Sequence, residues 1–234
     1  MIRVILTDVE GTTTSISFVH EVLFPYAAEH LDEFIRAHQY EAAVSAALDS
    51  VAQESGCKRD DLDSLLASLQ GWIREDRKVT PLKLLQGMIW RHGYERGDFQ
   101  SHVYEDAADY LRRWHDRGLR LFVYSSGSVE AQKLIFTHSI AGDLTPFFSD
   151  YFDTRVGGKK EAESYRNILE HLGVEPSHVL FLSDVAAELD AAEDVGLRTC
   201  LLARAEDSPG STMDARDRPV ARDFSEVDRL LLQD

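Results

Sequence analysis

The chain opens on an apolar run, Ile2-Arg3-Val4-Ile5-Leu6-Thr7, that breaks at Asp8-Val9-Glu10-Gly11-Thr12. A short run with β-branched residues, bounded by a glycine turn, predicts a buried central strand. From about Glu105 such strands alternate with amphipathic segments. Asp106 to Arg117 predicts a helix ended by Gly118, Leu119 to Tyr124 a strand stopping at Ser125-Ser126-Gly127-Ser128, and Val129 to His138 a helix. Tyr151 to Asp153 predicts a short strand and Ala162 to Leu172 a helix ended by Gly173. Val179 to Leu182 predicts a strand stopping at Ser183-Asp184, Ala186 to Val195 a helix ended by Gly196, and Thr199 to Leu202 a further strand. Polar, turn-rich Glu206 to Arg218 predicts a loop, after which Ala221 to Phe224 forms a short edge strand. Alternation of this kind implies an α/β fold: a doubly wound parallel sheet with helices on both faces.

The stretch from Phe18 to Phe99 has a different period. Leu23, Ala27, Leu31, Phe34 and Ile35 share one helical face, and Leu62, Leu65, Leu66, Leu69 and Ile73 another, with Asp60 or Asp61 as its cap. Thr80-Pro81 starts a further helix through Leu84, Leu85, Met88 and Ile89. The expected organisation is therefore an α/β core of residues 1–17 and 100–234, with a helical cap of residues 18–99 inserted after the first strand.

Composition narrows the partners. The 234 residues carry a formal charge of −16, which disfavours nucleic acid, whose binding needs Lys and Arg against phosphate. No stretch is apolar enough to span a bilayer, and the N-terminus lacks a signal-peptide layout. Two cysteines, Cys57 and Cys200, are too few for a disulfide framework and have no metal-ligand spacing, so both read as packing residues in a reducing cytoplasm. The nine histidines show no zinc pattern.

Three predicted strands end in polar residues: Asp8 and Glu10, Ser125 and Ser126, and Asp184. A parallel sheet brings such ends to one edge, where open α/β sheets bind ligands. Lys159, in Gly157-Gly158-Lys159-Lys160 just before a helix, can reach the same edge. Acids, hydroxyls and a lysine on one rim make a site for a phosphate and a hard cation.

The order D-x-E-G-T, S-S-G, K and S-D, with a helical insert after the first, resembles the haloacid-dehalogenase superfamily of phosphohydrolases, most of whose phosphatases carry aspartate where Glu10 stands. The runs from Ser17 to Tyr26, Tyr124 to Leu134 and Phe181 to Val185 resemble, more narrowly, the enolase-phosphatase (acireductone synthase) family of methionine salvage, over nearly the whole chain. That resemblance implies a Mg²⁺-dependent enzyme that enolises 2,3-diketo-5-methylthiopentyl 1-phosphate and then hydrolyses it to the acireductone 1,2-dihydroxy-3-keto-5-methylthiopentene and phosphate. It implies Asp8 as nucleophile and metal ligand, Glu10 as general acid/base that also contributes a carbonyl to the metal, and Asp184 as the other carboxylate on a single Mg²⁺. Ser125 and Ser126 would bind phosphate, and Lys159 would neutralise it; Lys160 is the competing lysine, which the family spacing to Glu163-Ser164-Tyr165 disfavours. Glu188, four residues past Asp184, reads either as a support for it or, more simply, as an exposed surface acid. Phe18, His20, Phe24, Trp72 and Trp90 serve either the cap core or a pocket for the methylthio tail. The resemblance also implies a cytoplasmic monomer acting on a small phosphate ester.

Three rivals remain: another phosphatase or phosphoglycomutase of the superfamily, a dehalogenase using Asp8 on carbon, and an inactive acidic scaffold. Glu10 in place of aspartate argues against the first, the additional acids Glu10 and Asp184 against the second, and intact Asp8, Lys159 and Asp184 against the third.

Overall fold

The computed structural model describes residues 1–75, 77–205 and 217–232. The chain divides into two compact units, Met1–Phe18 with Gln100–Asp234, and Val19–Phe99. Phe18, grouped with the cap by its sequence pattern, lies in the first unit.

Among the described residues of the first unit, six strands form one sheet in the order β3-β2-β1-β4-β5-β6, every neighbouring pair parallel. They are β1 (Val4–Thr7), β2 (Arg120–Tyr124), β3 (Phe148–Phe152), β4 (Val179–Ser183), β5 (Arg198–Leu202) and β6 (Val220–Ala221). After a short turn α1 (Ile16–Phe18), the unit's helices are α6 (Glu105–Asp116), α7 (Val129–Thr137), α8 (Ala162–Leu172), α9 (Ala186–Glu193) and α10 (Phe224–Leu231).

Strand alternation divides the core. Ile5, Leu121, Val123, Leu180, Leu182 and Cys200 pack on one face with Leu111, Trp114, Phe136 and Phe224. Val4, Leu6, Phe122, Tyr124, Phe181 and Leu201 pack on the other with Tyr165, Ile168 and Leu189. Covering both faces buries every residue of β1, as a central parallel strand requires. Thr7 pairs with Val123 on one side and Leu182 on the other. The residues that follow β1, β2 and β4 therefore emerge side by side at one sheet edge.

Some elements differ from the sequence pattern. β3 begins at Phe148, because Ser149 and Asp150 hide its edge-strand character. The last strand is Val220–Ala221, and Phe224 starts a helix rather than ending a strand. The reason is a cap: the Asp223 side chain accepts from the Glu226 amide at 2.8 Å. α9 stops at Glu193, two residues early. Of the expected loop Glu206 to Arg218, residues 206–216 lie outside the described residues.

In the second unit a π-helical turn, Val19–Leu23, leads into α2 (Phe24–His38), followed by α3 (Ala42–Ser55), α4 (Leu62–Arg74) and α5 (Thr80–Arg96). Asp61 caps α4, accepting from the Ser64 amide at 3.1 Å. The core contains Ala27, Leu31, Ile35, Leu48, Leu65, Leu69, Leu85, Ile89 and Trp72. Trp72 takes the buried place that the sequence pattern gave to Ile73, which is half-buried. Phe24 is half-buried and lies near Trp90 and exposed His20. Both cysteines are free thiols, Cys200 in the sheet core and Cys57 half-buried. No helix among the described residues is long and apolar enough to cross a membrane.

Candidate active site

The loop leaving β1 is wound tightly on itself. The Val9 carbonyl accepts from the amides of Thr12, Thr13 and Thr14, and the Gly11 amide donates to the Thr14 carbonyl at 2.8 Å. Gly11 adopts φ +71°, which favours glycine. This turn holds Asp8 at the sheet edge, only 4 % exposed. Asp8 is also tied to the neighbouring strand, its amide donating to the Leu182 carbonyl at 2.9 Å.

The centre of the site is an ion pair. Lys159 Nζ lies 2.7 Å from Asp8 Oδ1 and 2.6 Å from Glu188 Oε2, all three side chains being nearly buried. Burial opposes the charge on Lys159, but Asp8 and Glu188 outweigh it and hold its pKa above the ordinary lysine range. The Val9 amide donates to Asp8 Oδ1 as well, at 2.7 Å. Both bonds thus anchor one carboxylate oxygen, and neither takes Oδ2. Ser183 Oγ donates to Glu188 Oε2 at 2.9 Å while accepting from the Val185 amide, so the end of β4 orients Glu188.

Asp184 follows β4, and its carboxylate packs against the β1 loop. A Cβ built on Gly11 would lie 2.3 Å from Asp184 Oδ2. The missing side chain at Gly11 is the space that Asp184 fills. Burial, reinforced by the charge of Asp8, pushes Asp184 up to about 7. Burial and Asp8 likewise raise Glu188, despite its bond to Lys159, because one ammonium serves two carboxylates. Such crowding of acids is what a divalent cation would relieve. The donors at hand, carboxylates and backbone carbonyls, are all oxygen and suit a hard cation that keeps part of its water shell. Among the described residues no three His, Cys, Asp or Glu side chains form a ready-made metal cage.

The sequence candidates thus fall into groups. Asp8, Lys159 and Asp184 are gathered at one sheet edge. Glu10 is half-buried on the same loop and pairs with Thr14 in an isolated bridge. Ser125 is buried at the end of β2, next to β1, where its Oγ accepts from the Gly127 amide at 3.1 Å. Ser126 is exposed, and the cap of α7 is Ser128 rather than either serine. Lys160 is exposed, so Lys159 is the lysine turned inward. Glu188 is corrected: it is not a surface acid but is buried and bonded to Lys159. Its spacing of one helical turn from Asp184 was the available signal.

Sequence reasoning overlooked Arg204. This buried guanidinium donates twice to the Thr12 carbonyl, at 2.8 and 3.1 Å, and pairs with Asp106 at 2.7 Å. It stacks over the rings of Tyr104 and Phe224 at 4.1 and 5.3 Å. It therefore anchors the loop that carries Glu10. Nothing local marks an arginine 192 residues away from Thr12.

Fold and site together define a class. A family model described as haloacid dehalogenase-like hydrolase matches residues 2–196. Over 232 residues the chain is 65 % identical to enolase-phosphatase E1 of Marinobacter nauticus, covering 99 % of each. It is 56 % identical to enolase-phosphatase E1 of Thioalkalivibrio sulfidiphilus, covering 97 % of this chain and 99 % of that one. Among solved structures, the UTR4 protein of Saccharomyces cerevisiae matches with a TM-score of 0.81 at 37 % identity, over 96 % of this chain and 99 % of that one. The hydrolase YfnB of Bacillus subtilis, solved bound to magnesium, shares the fold at 18 % identity and a TM-score of 0.63, over 99 % of each chain. The chain therefore belongs to the haloacid dehalogenase-like hydrolases and, within them, to the enolase-phosphatase E1 family. Hydrolases of this kind are generally metal-dependent.

Proposed function

We propose that this protein is a Mg²⁺-dependent enolase-phosphatase of methionine salvage. It converts 2,3-diketo-5-methylthiopentyl 1-phosphate to 1,2-dihydroxy-3-keto-5-methylthiopentene and phosphate. The observation that carries this reading is the buried contact between Lys159 and Asp8, with the Asp184 carboxylate seated on the same loop. The identity to the E1 relatives supports the substrate.

Asp8 attacks phosphorus through its unanchored oxygen and forms an aspartyl-phosphate, dividing a difficult hydrolysis into two easier steps. Its other oxygen is fixed by Lys159 and the Val9 amide, which keeps the carboxylate oriented. Lys159 carries three N–H donors, of which Asp8 and Glu188 take two, leaving one for a phosphoryl oxygen. Ser125 and Ser126 bind the remaining phosphoryl oxygens; at the start of α7 the Val129 and Ala131 amides already donate to Asp153 and Ser128. Glu10 protonates the leaving oxygen and then activates water; its longer side chain also serves proton transfer during enolisation. Asp8, Asp184 and the Glu10 carbonyl would hold Mg²⁺, which when bound neutralises charge on the transferring phosphoryl group. The enzyme works as a cytoplasmic monomer with one Mg²⁺ per chain.

One assay tests the reading: the diketo phosphate with and without Mg²⁺, following enol absorbance and free phosphate. Mg²⁺-dependent appearance of both products is expected. Phosphate release without any enol would favour a plain phosphatase instead, and release independent of Mg²⁺ would remove the metal assignment.

A further inference from the structure

The loop that carries Lys159 lies between a turn of 3₁₀ helix, Thr154–Val156, and α8, and belongs to neither. Its first three carbonyls, and that of Val156 just before them, are each held by a side chain. Asn167 Nδ2 donates to the Val156 carbonyl at 2.9 Å, Tyr124 Oη to Gly157 at 2.9 Å, Ser164 Oγ to Gly158 at 2.8 Å, and Tyr165 Oη to Lys159 at 2.6 Å. Four consecutive carbonyls are thus gripped by four different residues. Tyr124, Ser164 and Tyr165 are buried. Burial raises both phenols above the ordinary tyrosine range, so both stay protonated as donors.

The fit includes the glycine. Gly157 adopts φ +128°, and a Cβ there would lie 2.1 Å from Ser164 Oγ. The space that lets Ser164 reach the Gly158 carbonyl exists because residue 157 has no side chain. The rings also connect the loop to the sheet: Tyr165 packs 5.6 Å from Tyr124 of β2 and 5.3 Å from Phe181 of β4. The two phenol donors are therefore referenced to the two strands that flank β1, which carries Asp8.

We propose that Tyr124, Ser164 and Tyr165 are positioning residues for Lys159: their hydroxyls fix the backbone from which the ammonium reaches Asp8. None of the three side chains needs to touch substrate. A lysine stem is flexible, and its backbone anchor decides whether the ammonium spans Asp8 and Glu188 or swings out. The proposal rests on the role given to Lys159 above.

The test is a double-mutant cycle on single-turnover phosphate release with enzyme in excess, so that slow variants still yield a rate. Tyr165→Phe removes one hydroxyl and keeps the ring. Loss of one such hydrogen bond should slow release about five-fold. In a Lys159→Met background, which keeps the stem, the same change should have no further effect. An equal factor in both backgrounds would mean a general structural role and would overturn the proposal, as would Tyr165→Phe releasing phosphate at the parent rate. Fast release by Lys159→Met itself would instead overturn the assignment of Lys159, and the clamp with it. A second measurement does not depend on Lys159→Met folding. Calorimetric titration with inorganic phosphate and Mg²⁺ should show about five-fold weaker binding in both Tyr124→Phe and Tyr165→Phe. Unchanged phosphate affinity in both would overturn the proposal.

Discussion

The Lys159 ammonium bridges Glu188 to Asp8, at 2.6 and 2.7 Å, with all three groups withdrawn from water. Removing the cation leaves two buried carboxylates facing each other. Lys159→Ala is expected to cost about 3–5 kcal/mol of stability and to slow phosphate release by at least about 100-fold. Lys160→Ala, at an exposed position, should be near neutral in both thermal melts and turnover. The reverse result would shift the register by one residue. Glu188→Gln keeps the shape but weakens the hold on Lys159, and should lower release about ten-fold while the protein stays folded.

Asp184 carries the pH dependence. Its folded pKa is raised from 3.8 to about 7 by burial and by Asp8. Between those values the folded protein binds more protons than the unfolded chain, so the metal-free protein loses stability as pH rises from about 4 to 7. Thermal melts in a chelator should therefore fall across that window. Mg²⁺ should raise the midpoint more at pH 8 than at pH 5.5, and Asp184→Asn should flatten the slope. A melting temperature that climbs through the window in both proteins would contradict the assignment.

Gly11→Ala tests the seat of Asp184. The new methyl would meet Asp184 Oδ2, and the backbone at φ +71° disfavours a side chain. Backbone conformation alone should cost about 1–2 kcal/mol. Displacing the carboxylate should also weaken Mg²⁺ binding, read by calorimetry. Wild-type affinity for Mg²⁺ would argue that Asp184 is not a ligand.

Asp8→Asn should separate the half-reactions. The amide cannot form an aspartyl-phosphate, so phosphate release should be abolished while enol absorbance still grows. Glu10→Asp complements it: if both enol formation and phosphate release continue at the parent rates, the special place of glutamate in the D-x-E-G-T turn is gone.

Arg204→Lys keeps the charge but loses the planar fork that holds the Thr12 carbonyl and Asp106. It should destabilise the protein by about 2 kcal/mol, a shift of about 4–8 °C in the melting temperature given its size. Activity should fall as well, since the same carbonyl restrains the Glu10 loop.

Much of this molecule could be read along the chain. Short continuous apolar runs identified β1, β2, β4 and β5, because burial on both sheet faces leaves a strong apolar signature, and a helical pattern ended by Gly173 identified α8. Asp8, Ser125 and Asp184 were visible as polar residues ending apolar strands, and parallel pairing requires such ends to share one edge. The start of β3 and the capped beginning of α10 were hidden, since an edge strand carries polar residues and a cap depends on one side chain's geometry.

Other features belong to tertiary structure alone. Whether Glu188 lies on the surface or against Lys159 depends on how α9 turns after Ser183, which no local pattern encodes. The hold of Arg204 on Thr12 joins residues at opposite ends of the chain. The grip of Tyr124, Ser164 and Tyr165 on the Lys159 loop requires β2 and α8 to meet around it. Residue types announced the chemistry, but the protonation and aim of each group were settled by burial and by partners distant in sequence, because electrostatic energy depends on separation in space.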